Sequence, residues 1–310
     1  MNKTFIINGG SGRVITAIPA LEKYHRLNPN DDFKVIVHGW ESLYWSHPIL
    51  QQRTIGVHQK DIFEQYIKPR QVICPEPYYQ YDYYNQKISL AEAFDREINQ
   101  TTDHSDLTKP NLYLSSYEKN SVKRIITEFK EKHNKSKVVI IQPYGSSMQI
   151  MNNRPFDSTH RSLDSDDYLF MIENLSKDSL IFYFGMPELR HPGDQISVDL
   201  KTFSPDLRMF MALISECDYF IGCDSVGQHM AMAFNKPGSI FMGSTFEKNV
   251  TYPKHFKIFR NKNKTPTYSP IRFGGVDSEF TDRLNDGIME FTKDDLKHFC
   301  NIINFDMYSE

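Results

Sequence analysis

One segment gathers groups that could handle a charged, hydroxyl-rich substrate: Asp224-Ser225-Val226-Gly227-Gln228-His229. It follows Tyr219-Phe220-Ile221-Gly222, an aromatic and β-branched run that predicts a buried strand. It opens an Ala- and Met-rich stretch reaching Phe234 that predicts a helix. Such a strand delivers Asp224 and Ser225 to its C-terminal end, where open α/β sheets bind ligands. The helix starts at once near Gly227, so its unpaired N–H groups point into the same space and favour anions, phosphates above all. Ser225 can cap the helix or bond a phosphate oxygen. Asp224 would repel a phosphate; it suits ribose, sugar hydroxyls or the loop's own amides. His229, in the first helical turn, would face the same space. The same spacing equally describes an ordinary capped helix over a buried structural histidine.

A second glycine-rich turn, Gly9-Gly10-Ser11-Gly12, precedes Arg13. It carries only part of a dinucleotide fingerprint: the third glycine is missing, and no acidic residue ends the second strand, which argues against an oxidoreductase. Between Lys248 and Val276 stand seven Lys or Arg residues and no Asp or Glu, interleaved with five aromatics. Lys257, Arg260 and Lys262 at its centre suit a polyanion such as nucleic acid or a phosphorylated glycan; a solvated loop around the domain is the plainer reading. The eleven histidines form no HExxH pair, so no metal site is expected. There is no Gly-x-Ser-x-Gly elbow for a serine nucleophile.

The elements that would position these groups alternate. Thr4–Ile7 reads as a strand, the Gly-rich turn follows, Val14, Ile18 and Leu21 fall at helical spacing, and Phe33–Val37 reads as a second strand: a βαβ unit. Residues 72–110 read as irregular, with a tyrosine-rich loop at 78–84. Residues 117–133 read as a polar helix, and the Lys132–Lys137 stretch then separates two halves, residues 1–134 and 135–310. The second half repeats the rhythm, with strands at Val138–Ile141, Leu180–Phe184, Tyr219–Gly222 and Ser239–Met242 and a last helix over Lys293–Ile303. Alternating strands and helices mean parallel sheets covered by helices. The 310 residues, 39% hydrophobic and 24% charged, suit two ordinary domains. No run approaches the roughly 18 apolar residues of a membrane helix. The start of the chain does not read as a signal peptide. Four cysteines without a CxxC pair predict a reduced, cytoplasmic protein. A net charge of −3 excludes a global polycation.

The stretch Asp224 to Pro237, followed by Phe241-Met242-Gly243-Ser244-Thr245, resembles the donor-site signature of family 9 glycosyltransferases, the ADP-heptose:lipopolysaccharide heptosyltransferases and relatives. Other pieces resemble the family in order. They are the Gln142–Ser147 turn with Ser146, the basic Arg161 before a helix, the Gly185-Met186-Pro187-Glu188 turn whose Glu188 would bind ribose, and Gly12–Leu21 at the start. The resemblance implies an α/β GT-B architecture, two Rossmann-like parallel-sheet domains facing a central cleft. The N-terminal domain would take the acceptor and the C-terminal one the nucleotide-sugar donor, with the last helix crossing back to the first domain. It further implies metal-independent, inverting transfer of a sugar to a hydroxyl, with a nucleoside diphosphate sugar as co-substrate and no other cofactor. Ser146, Arg161, Glu188, Asp224, Ser225, Gly227 and His229 would bind that donor. Two positions depart from the pattern. Val226 stands where the family has glycine, and Arg13 stands where it has the Asp proposed as general base. An arginine stays protonated, so it would hold a phosphate or carboxylate instead; His38 and Glu41 are the candidates to take the acceptor's proton. The resemblance favours a surface glycan or lipopolysaccharide core as acceptor. DNA carrying a hydroxylated base, as in phage base-modifying glycosyltransferases, is the alternative, and a nucleotide-sugar-binding protein without turnover is the alternative of another class.

Overall fold

The computed structural model describes residues 2–151, 154–185, 196–199, 206–266 and 287–308. The chain divides into two compact units, the first covering Met1–Ser115 and the second beginning at Ser116. The expected boundary at 134/135 moves upstream because the helix α4, Ser116–His133, packs within the second unit. Val122 and Ile126 bury its inner face, and Glu118 pairs with Arg208 at 2.6 Å. Its polar outer face hid this apolar stripe of only two buried positions.

The first unit is built on β1 (Lys3–Ile7), β2 (Lys34–Val37), β3 (Thr54–Gly56) and β4 (Gln71–Ile73), all parallel in the order β3-β2-β1-β4. The helix α1 (Ser11–Leu27) buries every residue from Arg13 to Tyr24, which a helix can do only when it is covered on several sides. The short α2 (Tyr81–Tyr84) follows a 3-10 turn at Pro77–Tyr79, so the tyrosine-rich segment is helical rather than irregular, and Tyr83 is wholly buried. Next, α3 (Leu90–Asn99) starts with a capping box, Ser89 and Glu92 each satisfying the other's backbone N–H. It packs on α1, and Lys23 reaches the buried Asp95 carboxylate at 3.0 Å between them.

Among the described residues the second unit holds six parallel strands: β5 (Lys137–Gln142), β8 (Ser179–Gly185), β9 (Ile196–Asp199), β10 (Tyr219–Cys223), β11 (Gly238–Phe241) and β12 (Lys257–Phe259). Their order is β12-β11-β10-β5-β8-β9. Counted within the unit this is the doubly wound order, reversing between β5 and β10. A hairpin, β6 (Met148–Met151) with β7 (Arg154–Asp157), is inserted after β5. The other helices among the described residues are α5 (Ser165–Leu175), α6 (Leu207–Glu216), α7 (Val226–Ala233), α8 (Glu247–Val250) and α9 (Lys293–Tyr308). The central strands Val138–Ile141 and Tyr219–Cys223 are buried on both faces, as parallel strands between helix layers must be.

The last helix, expected to cross back to the first domain, packs in the second unit. Leu296, Phe299, Cys300, Ile303 and Met307 of α9 join that unit's core beside α5. The Tyr308 hydroxyl donates to the Asp178 carbonyl at 3.0 Å. Phe299 stacks on Phe259 at 4.2 Å and meets Phe241 edge-on. Among the described residues no helix is long and apolar enough to cross a membrane. Removing the Phe299 ring should leave a cavity costing about 3–5 kcal/mol, read as a drop in the second unit's thermal midpoint. Leu27→Ala, at a side chain 60% exposed, should leave stability nearly unchanged in the same assay.

Candidate functional site

The second unit's switch point lies between β5 and β10, where adjacent strands feed crossovers of opposite direction. One buried side chain spans it. The Gln142 carboxamide, at the end of β5, accepts the Gly227 N–H at 2.9 Å and donates to the Ser225 hydroxyl at 3.1 Å. Gln142 therefore caps α7 from a neighbouring strand, and Ser225, read as either a cap for its own helix or a phosphate ligand, makes no cap bond. A Cβ on Gly227 would lie 2.3 Å from Gln142 Oε1 and 2.6 Å from the Phe220 ring. The glycine is needed at this position for that close approach, which accounts for its place one residue after Val226.

Asp224 is 6% exposed and accepts from Gln228 Nε2 at 2.9 Å. Its other oxygen lies 3.9 Å from Arg161 Nη1. His229, expected to face ligand space, is buried, with Nδ1 3.0 Å from the Tyr252 hydroxyl. Burial pushes its pKa down to about 4, so the ring is neutral at physiological pH and cannot serve there as a cation for phosphate. Ser146 is exposed on the loop after β5. Glu188 lies outside the described residues.

Arg161 is held rather than loose. Its Nε donates to Thr159 Oγ1 at 2.9 Å and its Nη2 to Ser147 Oγ at 3.3 Å, while its side chain stays 27% exposed. The loop that carries it is organised around Asp157, at the end of the inserted hairpin. That carboxylate accepts from Ser147 Oγ at 2.8 Å, Thr159 N at 2.8 Å, Ser162 N at 3.0 Å and Ser162 Oγ at 2.6 Å. His160 takes φ 51°, a left-handed conformation unusual for a residue with a side chain. Its carbonyl accepts the Ser244 N–H, and the Ser244 hydroxyl donates to the Thr159 carbonyl. Arg260 turns inward, donating to the carbonyls of Gly243 at 3.0 Å and Thr245 at 2.7 Å. The loops after β5, β7, β10, β11 and β12 thus lock together around Arg161 and Asp224.

This use of Arg260 breaks up the expected polyanion patch. Lys257 pairs with Asp306 of α9 at 2.5 Å, and Lys262 is exposed. The Asp157 loop also borders a pocket of about 340 Å³, whose lining includes Tyr144, Met148, Phe156, Leu163, Met289 and Glu290. Gln142, Asp157, Gln228 and Tyr252 were not singled out by sequence. A signal existed for Asp157, since Asp157-Ser158-Thr159 has the spacing of a side-chain-to-backbone turn.

In the first unit, Arg13 does not stand open for a phosphate. It is buried, donates to the Pro75 carbonyl at 2.6 Å, and lies 3.2 Å from Glu76 Oε2. The rings of Tyr78 and Phe94 flank its guanidinium at 5.0 and 5.5 Å. His38 is exposed just after β2, and Glu41 starts a 3-10 turn with its carboxylate over Gly56. Glu76, three residues past the end of β4, is the partner sequence reading did not supply; nothing in its local sequence distinguishes it.

Asp157 predicts an acid-sensitive site. Burial raises its pKa, but the hydrogen bonds from Ser162, Thr159 and Ser147 outweigh this and hold it at about 2, below the ordinary 3.8. A depressed carboxylate pKa stabilises the fold above the unfolded value and is lost as pH falls from about 4 to about 2, worth roughly 2 kcal/mol. Urea unfolding as a function of pH should show this loss, and Asp157→Asn should lower neutral stability and flatten the dependence in that window.

No protein-family model and no curated protein sequence matches the chain. Solved structures do. A family 9 glycosyl transferase from Veillonella parvula aligns at TM-score 0.61 and 12% identity, covering 83% of this chain and 85% of that one. E. coli ADP-heptose lps heptosyltransferase II aligns at TM-score 0.56 and 13% identity, covering 87% and 94%. E. coli heptosyltransferase WaaC with ADP aligns at TM-score 0.53 and 11% identity, covering 83% and 92%. At such identities the likeness is one of fold, and the fold is the α/β, GT-B fold of the family 9 glycosyltransferases, built from parallel-sheet units.

Proposed function

We propose that the chain is a glycosyltransferase that moves a sugar from a nucleoside diphosphate sugar, held at the second unit's switch point, to an acceptor hydroxyl. The observation that carries this is Arg161: a partly exposed guanidinium fixed by Thr159 and Ser147, beside the start of α7. As the sugar's anomeric carbon leaves the diphosphate oxygen, the electron pair stays on the diphosphate. A preset cation and a helix N-terminus are placed to stabilise that charge without reorganising. Arg161 and Ser146 would take the diphosphate, and Asp224, next to them, the hydroxyls of the donor. The pocket beside the Asp157 loop, with two aromatic rings and the Glu290 carboxylate, suits the nucleoside in size and lining. His229 and Ser225 then serve the donor indirectly, by fixing α7. The reaction would need no metal, since Arg161 and the amide dipoles supply the positive charge, and direct displacement at the anomeric carbon would invert it.

A glycan hydroxyl is the better acceptor reading. The DNA alternative drew on the basic Lys248–Val276 stretch, and within it Arg260 turns inward to two carbonyls while Lys257 is paired with Asp306 at the surface. Calorimetric titration with ADP, UDP, GDP, CMP and their sugar conjugates tests the donor site. One nucleotide should bind, and Arg161→Ala should weaken it about tenfold to a hundredfold, as expected for a charged hydrogen bond worth roughly 1.5–3 kcal/mol. The unliganded midpoint should change little. Absence of nucleotide binding by the unmodified protein would overturn the reading. Duplex DNA with a hydroxylated base should bind weakly; tight binding that collapses with added salt would restore the DNA acceptor.

A further inference from the structure

One wall of the pocket beside the Asp157 loop is the turn 287–290, and its neighbours hold it in place. The Glu290 N–H closes the turn on the Gly287 carbonyl at 3.2 Å, and Gly287 takes φ 69°, a conformation that favours glycine. Asn261 Nδ2 donates to the Glu290 carbonyl at 2.7 Å and to that of Gly287 at 3.3 Å. The next residue, Phe291, donates its N–H to Asp167 of α5 at 2.9 Å. Ile288 and Met289 are buried in the second unit's core. The pocket lies wholly within the second unit. The backbone that carries Glu290 is therefore fixed, and Glu290 itself stands exposed at the pocket's edge.

The lining carries three carboxylates, those of Asp157, Asp164 and Glu290. Asp157 is saturated by the hydroxyls and amides of its own loop. Asp164 gives one oxygen to the Asp166 N–H at 2.9 Å. Glu290 Oε2 lies over Gly287, as does Lys264 Nζ, and the two form no ion pair. The crowding is felt at Asp167, where burial, with Asp164 and Glu290 beside it, pushes the pKa up to about 6 in spite of the Phe291 N–H. Such an edge disfavours anionic groups and favours hydrogen-bond donors. Met148, Pro155, Leu163 and Met289 supply an apolar lining, and the Phe156 ring, 45% exposed, is open to stacking on a planar ligand.

We propose that this pocket selects guanine, so that the donor is a guanosine diphosphate sugar, with the Glu290 carboxylate reading the base. This rests on the glycosyl-transfer reading above, which seats the nucleoside here. A carboxylate presents two acceptors side by side and no donor. Guanine matches it, because its ring N–H and its neighbouring amino group are adjacent donors on one edge and can pair with both oxygens. Bidentate, charge-assisted pairs of this kind are the stronger ones. Adenine and cytosine each offer one amino group beside a bare ring nitrogen, whose lone pair would face the second oxygen. Uracil offers a single N–H between two carbonyls. A polar site left with an unmatched group is the arrangement that rejects a near-isostere most sharply.

The test titrates the full chain calorimetrically with GDP, inosine diphosphate, ADP, CDP and UDP. GDP should bind most tightly, by about tenfold or more. Inosine diphosphate, which keeps the ring N–H and lacks the amino group, should fall about tenfold below it. Glu290→Gln replaces one acceptor by a donor; it should weaken GDP about tenfold to a hundredfold and erase its lead over ADP, whose edge a carboxamide matches. Asp166→Asn removes a neighbouring exposed carboxylate that does not line the pocket and should leave the order of affinities unchanged. The thermal midpoint of both variants should stay near that of the unmodified protein. Another of these nucleotides binding as tightly as GDP, a preference for GDP that survives Glu290→Gln, or an equal loss in Asp166→Asn overturns the proposal and leaves the glycosyl-transfer reading standing. A protein that binds none of them overturns that reading, and the proposal with it.

Discussion

The candidate donor site depends on one buried carboxamide. Gln142 ends the first strand of the second unit and reaches the first turn of α7, which follows the neighbouring strand β10. At a topological switch point two loops diverge, and nothing in the sheet ladder joins them. Gln142 supplies that join with one acceptor and one donor, so both halves of its amide are used. The cost of the arrangement falls on neighbours. Residue 227 can carry no side chain, because a Cβ there would collide with the amide oxygen and the Phe220 ring. Gln228 turns its own amide to Asp224 and so fixes the carboxylate that begins the loop. Two polar pairs, Gln142 with Ser225 and Gln228 with Asp224, thus set where α7 begins.

Asp157 does the equivalent work on the other side of the site. Its carboxylate gathers hydroxyls and amides from residues 147, 159 and 162, and the arginine carried by that loop is oriented as a result. A carboxylate satisfied by several donors is more favourable ionised, even partly buried, than a solvated one. The left-handed His160 is held by the same network, through the bond from Ser244 to its carbonyl. Strain of that kind persists only where surroundings over-determine the backbone. Arg260 extends the bracing to the end of β11. It shows why a run of basic residues read as a binding face can serve as scaffold: a guanidinium offers several donors in one plane, and nearby carbonyls at strand ends need them.

Much of this fold was legible in sequence because strands buried on both faces are continuous apolar runs. Val138–Ile141 and Tyr219–Gly222 needed no context, and the strand-to-helix step at Asp224 followed from them. What escaped had little local signal. The edge strands β3, β4 and β12 are three residues each, too short for any period to show. The boundary at Ser116 was hidden because α4 is charged around most of its circumference and buries only Val122 and Ile126. At the site, the polar residues named by the motif find partners that the motif does not contain. Ser225 opens α7 and His229 lies in its first turn, but their partners are Gln142 and Tyr252, distant in sequence by 83 and 23 residues. Long-range pairing decides whether a polar group binds a ligand or a neighbour, and spacing along one segment does not contain it.

Arg13 illustrates the same point with the opposite outcome. Read alone, an arginine after a glycine-rich turn suggests an anion site, since its charge is permanent. In the structure the charge is already answered by Glu76 and the Pro75 carbonyl, and the aromatic rings of Tyr78 and Phe94 cover it. A buried guanidinium must be paired, or its desolvation is unrecovered. The exposed member of the pair, Glu76, is what makes burial of the arginine tolerable. Two switch points of similar topology thus present opposite surfaces: a guanidinium over hydroxyls in the second unit, a carboxylate over a carboxamide in the first.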